Sequence, residues 1–295
     1  MTFTALLTKE LRLRLRRERS VWILITYLLV MGLLGFGFLE RQNAFNGGYQ
    51  GYLLSQIGTQ LYTLLAYVQL FLIVFIAPAF TSTAINGEKE RQTFDLLLCS
   101  KLSAFSLLAG KLVAGLANAL LLILASIPLF SLVFFFGGVA PTQVLSALLV
   151  FVVTAILIGT FSLFCSTLLH RPPVSTAVAY MFCLLWMFAP WVVLLLLLST
   201  PYSGNSHWFS WIQWVSVWNP ISALGNTLGG NSLFPFPKLK VAPWIAYILL
   251  NLLITAVLFL LSMVFVKPHT VPRTASLLGR LRSWLLARRR KAVAK

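Results

Sequence analysis

The stretch Ile85–Lys111, INGEKERQTFDLLLCSKLSAFSLLAGK, decides the fold. It is a polar island between two long apolar runs. Three of the chain's six acidic residues (Glu88, Glu90 and Asp95) lie in it within eight positions. A charge left at mid-bilayer costs roughly 2.5–3.5 kcal/mol, so a cluster this dense belongs in water and the flanking runs read as separate spans. The pattern changes at Thr93, which suits a helix cap. Asp95 then falls in the first turn, where the helix dipole favours negative charge, and Leu96, Leu97, Leu98 and Leu102 follow. Two readings stand: a short, partly apolar surface helix offered to a partner, or a solvated loop between spans.

Working outward, the composition fits only a polytopic membrane protein. The 295 residues are 59% hydrophobic and 10% charged, more apolar surface than a soluble domain buries. A net charge of +17 invites nucleic acid as a partner, but the basic residues sit beside apolar spans and form no separate basic domain. No nucleic acid is expected. Cys99, Cys165 and Cys183 lack CxxC spacing, and His170, His207 and His269 are isolated, so no metal or disulfide set is expected.

Charge-free windows count the spans. They predict helices over about 21–39, 57–80, 112–136, 143–169, 174–198 and 241–266. The window from Lys111 to Arg171 is too long for one span and breaks at Gly137-Gly138-Val139-Ala140-Pro141-Thr142. The expected fold is therefore all-α and polytopic: six transmembrane helices, a cytoplasmic amphipathic N-terminal helix over 1–20, a transmembrane domain over 21–266 and a basic cytoplasmic tail over 267–295. The island at 85–111 and an outer loop at 199–243 interrupt it. Six basic residues of the N-terminus, four of the island, Arg171 and nine of the tail fall on one side; Arg41, Lys238 and Lys240 fall on the other. The termini and the island are therefore expected in the cytoplasm. The long apolar run and the lack of an A-x-A site argue against a cleaved signal at the N-terminus.

The outer loop carries Trp208, Trp211, Trp214 and Trp218 at helical spacing, ended by Asn219-Pro220. This predicts a short outer interfacial helix, read either as an aromatic anchor or as an outer gate of Trp214, Trp218, Asn219 and Pro220. In the tail, Leu277, Leu281, Trp284 and Leu285 share a face among many arginines, as in a helix lying on anionic lipid.

The predicted spans carry no Asp, Glu, Lys or Arg. That disfavours a carrier driven by its own ion or proton site, and no G-x-S-x-G or H-E-x-x-H supports an intramembrane hydrolase. There is no G-x-x-x-x-G-K-[ST] loop either, so ATP is not bound here by that route. One polar stripe remains. Tyr52, Gln56, Gln60, Thr63 and Tyr67 follow one face of the second span, and a weaker line, Thr176, Tyr180, Cys183 and Met187, follows the fifth. Gln56, Gln60, Thr63, Tyr67, Tyr180 and Met187 read either as the lining of a path or as groups that bond helix to helix.

The island resembles the region after the second span of type-2 ABC transporter permeases, with the NosY-like branch nearest. That family carries an acidic pair, a Gly-Thr, an acidic-Leu-Leu run, a Pro-Leu-Ser and a Gly-Lys opening the third span. Here Glu88, Glu90, Thr93, Asp95, Leu96, Leu97, Leu102, Ser103, Gly110 and Lys111 follow in that order. Lys9-Glu10-Leu11-Arg12 is similar to the family's N-terminal helix, and the Asn-Pro before the last span also matches. Gln92 stands where the family often has glycine, and Lys101 where it often has proline. The resemblance spans nearly the whole chain, with the island its one discriminating motif.

What the resemblance implies is a permease subunit of an ABC exporter in a prokaryotic cell membrane. It has no catalytic residues and no cofactor of its own. ATP and Mg would sit on a separate ATPase subunit, in two copies, and a second permease chain, identical or paralogous, would complete the path. Glu88, Glu90, Arg91, Thr93, Phe94, Asp95, Leu96 and Leu97 would form the ATPase-coupling helix, with Lys111 at the foot of the third span. A second reading uses the same body and ATPase-driven motion for signalling or envelope assembly, with no solute crossing.

Overall fold

The computed structural model describes residues 18–45, 52–90, 92, 104–169, 171–198, 213–227 and 242–266. The helices are α1 (Glu18–Phe45), α2 (Tyr52–Thr81), α3 (Asn86–Glu90), α4 (Ala104–Phe136), α5 (Pro141–Leu168), α6 (Pro172–Leu198), α7 (Pro220–Thr227) and α8 (Pro243–Val266). A further helical segment covers 213–218. No strand occurs among the described residues. Six stretches are long and apolar enough to cross a membrane: Val21–Arg41, Leu54–Glu90, Ala104–Phe136, Pro141–Leu168, Pro172–Val193 and Pro243–Val266. The all-helical, six-span expectation therefore holds.

The third span differs from its expected bounds. α4 runs 33 residues from Ala104, which places Lys111 two turns inside the helix. At 1.5 Å per residue it is about 50 Å long, well beyond a hydrocarbon core of about 30 Å. Charge marked the edge of the apolar window but not the edge of the helix. Lysine is a good helix former, and this one is buried in an ion pair.

α5 is the central helix, in contact with α2, α4, α6, α7 and α8. α1 and α8 lie at the periphery and present most of their apolar surface outward. α2 and α4 run antiparallel in close register. Thr81 faces Gly115 at one end, and a Cβ there would sit 2.5 Å from the Thr81 methyl. Tyr62 packs edge-on to Phe130 nearer the other end, ring centroids 5.6 Å apart. At the other end a Cβ on Gly58 would strike Gly137 O at 2.2 Å.

The α4–α5 turn falls at the expected break. Gly137 and Gly138 hold φ of 77° and 82°, and Pro141 opens α5 at the first helical position, where its missing N–H has no cost. Gln143 Oε1 accepts from Ala140 N at 2.9 Å, Tyr62 OH donates to Gln143 O at 3.0 Å, and Thr59 Oγ1 donates to Gly138 O at 3.2 Å. The turn is thereby tied to the start of α2.

Candidate functional site

Two clusters of polar contacts lie at opposite ends of the bundle. At the island end, the chain leaves α2 through 82–85 and starts α3. Ser166 Oγ of α5 accepts from Ile85 N at 3.0 Å and from Asn86 N at 3.1 Å, and it donates to Asn86 Oδ1 at 3.0 Å. Asn86 N is the first amide of α3, and Ile85 N directly precedes it; neither has a partner within the helix. Ser175 Oγ of α6 donates to Ser82 O at 2.8 Å, and the Ser82 and Thr176 hydroxyls meet at 2.9 Å. Lys89 Nζ donates to Thr167 O at 2.8 Å, at the negative end of α5. Lys111 Nζ of α4 is ion-paired with Glu88. Beneath these bonds lies a small apolar core of Ala84, Ile85, Leu107, Leu108, Leu163 and Val266. Residues 82–89 are therefore fixed to α4, α5, α6 and α8 at once.

Glu90 is exposed at the end of α3. Gln92 follows with φ of 57°, the left-handed region in which glycine is at ease. Glutamine therefore stands here in a conformation that glycine adopts without strain. Arg91, Thr93, Phe94, Asp95, Leu96 and Leu97 lie outside the described residues, as do Trp208, Trp211, residues 1–17 and the tail from 267.

At the opposite end, the segment after Asn219-Pro220 is not loop but the buried helix α7, packed against α5, α8 and α2. Asn-Pro stops the 213–218 segment and starts the next helix. Asn219 Oδ1 accepts from Ile221 N at 2.8 Å and Ser222 N at 3.3 Å as an N-cap, with Pro220 at the first position. Trp214 is exposed, Trp218 half-buried, and Asn219 and Pro220 buried. Polar contacts continue inward. Trp186 Nε1 donates to Trp218 O at 3.0 Å, Trp218 Nε1 donates to Asn251 Oδ1 at 3.1 Å, and Tyr247 and Thr154 share a bond of 2.8 Å.

The two predicted stripes divide. Gln56 and Gln60 are exposed on α2, next to the exposed Phe71 and Phe75 further along it. Thr63 bonds back to Thr59 O at 2.7 Å, and Tyr67 is half-buried against the core. Tyr180 of α6 reaches across to α2, its OH donating to Phe75 O at 2.8 Å. Met187 is buried in the core. Sequence reasoning missed the Tyr27–Gln69 bond, which ties α1 to α2 deep in the bundle. It also missed Ser166, Asn86, Ser175 and Ser82. A lone glutamine in an apolar run was a usable signal for Gln69. Serines at span ends carry almost none, because they also bond within their own helix.

Among the described residues no three His, Cys, Asp or Glu side chains come together as a metal site. An all-helical chain with six spans and a cluster of polar contacts at each end is a multi-pass membrane protein. Residues 40–266 match the family described as ABC-2 family transporter protein, and the chain belongs to that family as a membrane permease component of an ABC transporter. Membership implies partnership with an ABC ATPase. Comparison with curated proteins gives no match.

Proposed function

We propose that this chain is the membrane-spanning subunit of an ABC exporter, that its island couples it to a separate ATPase, and that it holds no nucleotide itself. ATP and Mg bind on the ATPase, in two copies. Both termini and the island lie in the cytoplasm of a prokaryotic cell. One observation carries this reading: residues 82–89 are hydrogen-bonded, ion-paired and packed to four spanning helices. A displacement applied to 91–103 by a partner reaches α4, α5, α6 and α8 together. A solvated loop has no need of such anchorage. The spans then form a two-state unit biased by differential contacts with the ATPase.

A second permease chain meets the exposed face of α2. Gln56 is exposed there, and a polar amide facing lipid is costly, so this face adjoins another chain or a water-lined path. Phe75 and Tyr180 carry the face across to α6, with ring centroids 6.0 Å apart.

The test is co-purification. The tagged chain, extracted gently from its native membrane, is expected to bring down a stoichiometric P-loop ATPase. Glu90→Ala with Leu96→Asp is expected to release that ATPase while the permease stays folded. A preparation free of ATPase in several mild detergents, or undiminished binding by the double variant, refutes the coupling.

A further inference from the structure

α6 carries Pro190 within its span. Proline has no N–H, so the carbonyl four residues back, that of Trp186, loses its intrahelical donor, and the ring displaces it. In hydrocarbon such a carbonyl has no water to turn to. Here it finds a donor outside its own helix. Asn219 Nδ2 donates to Trp186 O at 3.0 Å and to Met187 O at 2.9 Å. The same side chain's Oδ1 caps α7, so Asn219, fully buried, uses both ends of its amide.

We propose that Asn219 is a latch: its amide nitrogen stands in for the N–H that Pro190 lacks, docking the 213–227 segment into the break in α6 and closing that end of the bundle reversibly. Water reaching the two carbonyls replaces the latch when it opens, and α6 then bends about Pro190. Movement at Trp186 passes to α5 through stacked rings, since Trp186 lies 6.1 Å from Phe182, which lies 3.8 Å from Phe161. The gating consequence rests on the transport reading above; the docking itself does not.

The test uses the full chain in lipid nanodiscs without nucleotide. Ala223, buried in α7, is replaced by cysteine and labelled with a water-soluble maleimide, read peptide by peptide. Asn219→Ser keeps a capping oxygen but removes the amide donor, and is expected to speed labelling roughly tenfold. Pro190→Ala returns an N–H to Trp186 O, weakens the need for Asn219 and so speeds labelling too. Adding Asn219→Ser to Pro190→Ala is expected to change the rate less than about twofold. The same speeding by Asn219→Ser in both backgrounds, or none in either, overturns the latch. Where Asn219→Ser fails to fold, Pro190→Ala alone decides, because slower or unchanged labelling overturns it as well. With the ATPase bound and Asn219 intact, trapping the nucleotide-bound state is expected to speed labelling. No change there removes the gate, and leaves the transport reading to stand or fall by co-purification.

Discussion

Ser166→Ala puts the anchorage of the island to a quantitative test. Ser166, Ile85 and Asn86 are all fully buried, and the serine oxygen serves three bonds of 3.0–3.1 Å. Alanine leaves two backbone N–H groups without that acceptor, and each such loss costs about 1–3 kcal/mol. A site with no solvent exposure leaves little room for a replacement water, and with some relaxation of the backbone the total is about 3 kcal/mol. That energy loosens α3 from α5 without dismantling the spans. Hydrogen exchange on the purified chain in nanodiscs reads it directly: amides at 85–90 are expected to exchange on the order of a hundredfold faster. Ser131→Ala removes an exposed hydroxyl that bonds only to Pro128 O, and is the control, with no change at 85–90. Exchange within twofold of the unaltered chain in Ser166→Ala refutes the anchorage, and with it the route by which a partner's push reaches the spans.

Two further outcomes follow from the packing. The Lys111 side chain is 5% exposed and that of Glu88 26%, so Glu88→Gln removes an ion-pair partner from the charge that water reaches less, whereas Lys111→Met removes one from the charge that water reaches more. Glu88→Gln is expected to cost more, by about 1–2 kcal/mol, and the double substitution less than the sum of the singles; strict additivity of the thermal midpoints removes the coupling. At the opposite end, Gly58→Ala drives a Cβ to 2.2 Å from Gly137 O, a backbone atom that cannot swing aside, and is expected to cost about 1–3 kcal/mol. Gly37→Ala meets nothing within 4 Å and is expected to raise the thermal midpoint or leave it unchanged; a loss there equal to that of Gly58→Ala sinks the close-approach argument.

The spans were legible because burial of charge is so costly that charged residues mark where the bilayer is not. That criterion does not mark where a helix ends: α4 includes Lys111, paired with Glu88, and α1 includes Glu40 and Arg41. Asn219-Pro220 was legible as a stop but equally spelled a start, and the choice lay in what Asn219 caps. The polar face of α2 was visible in sequence, yet periodicity does not say which face turns inward. Gln69, two positions past Tyr67, is the amide the core accepts, while Gln56 and Gln60 are exposed.

The sequence by itself determined that this is a six-span helical membrane protein with a charged island after the second span. Transfer free energy is a property of each residue and sums along the chain, so hydropathy and charge suffice to place the spans. Only the tertiary structure decided that Ser166 holds the island to α5, that Glu88 reaches Lys111, and that Asn219 meets the carbonyl freed by Pro190. Those are properties of pairs. They depend on how antiparallel helices slide and rotate against one another, which is set by close contacts such as Gly58 on Gly137 and leaves no periodic trace in either partner's sequence.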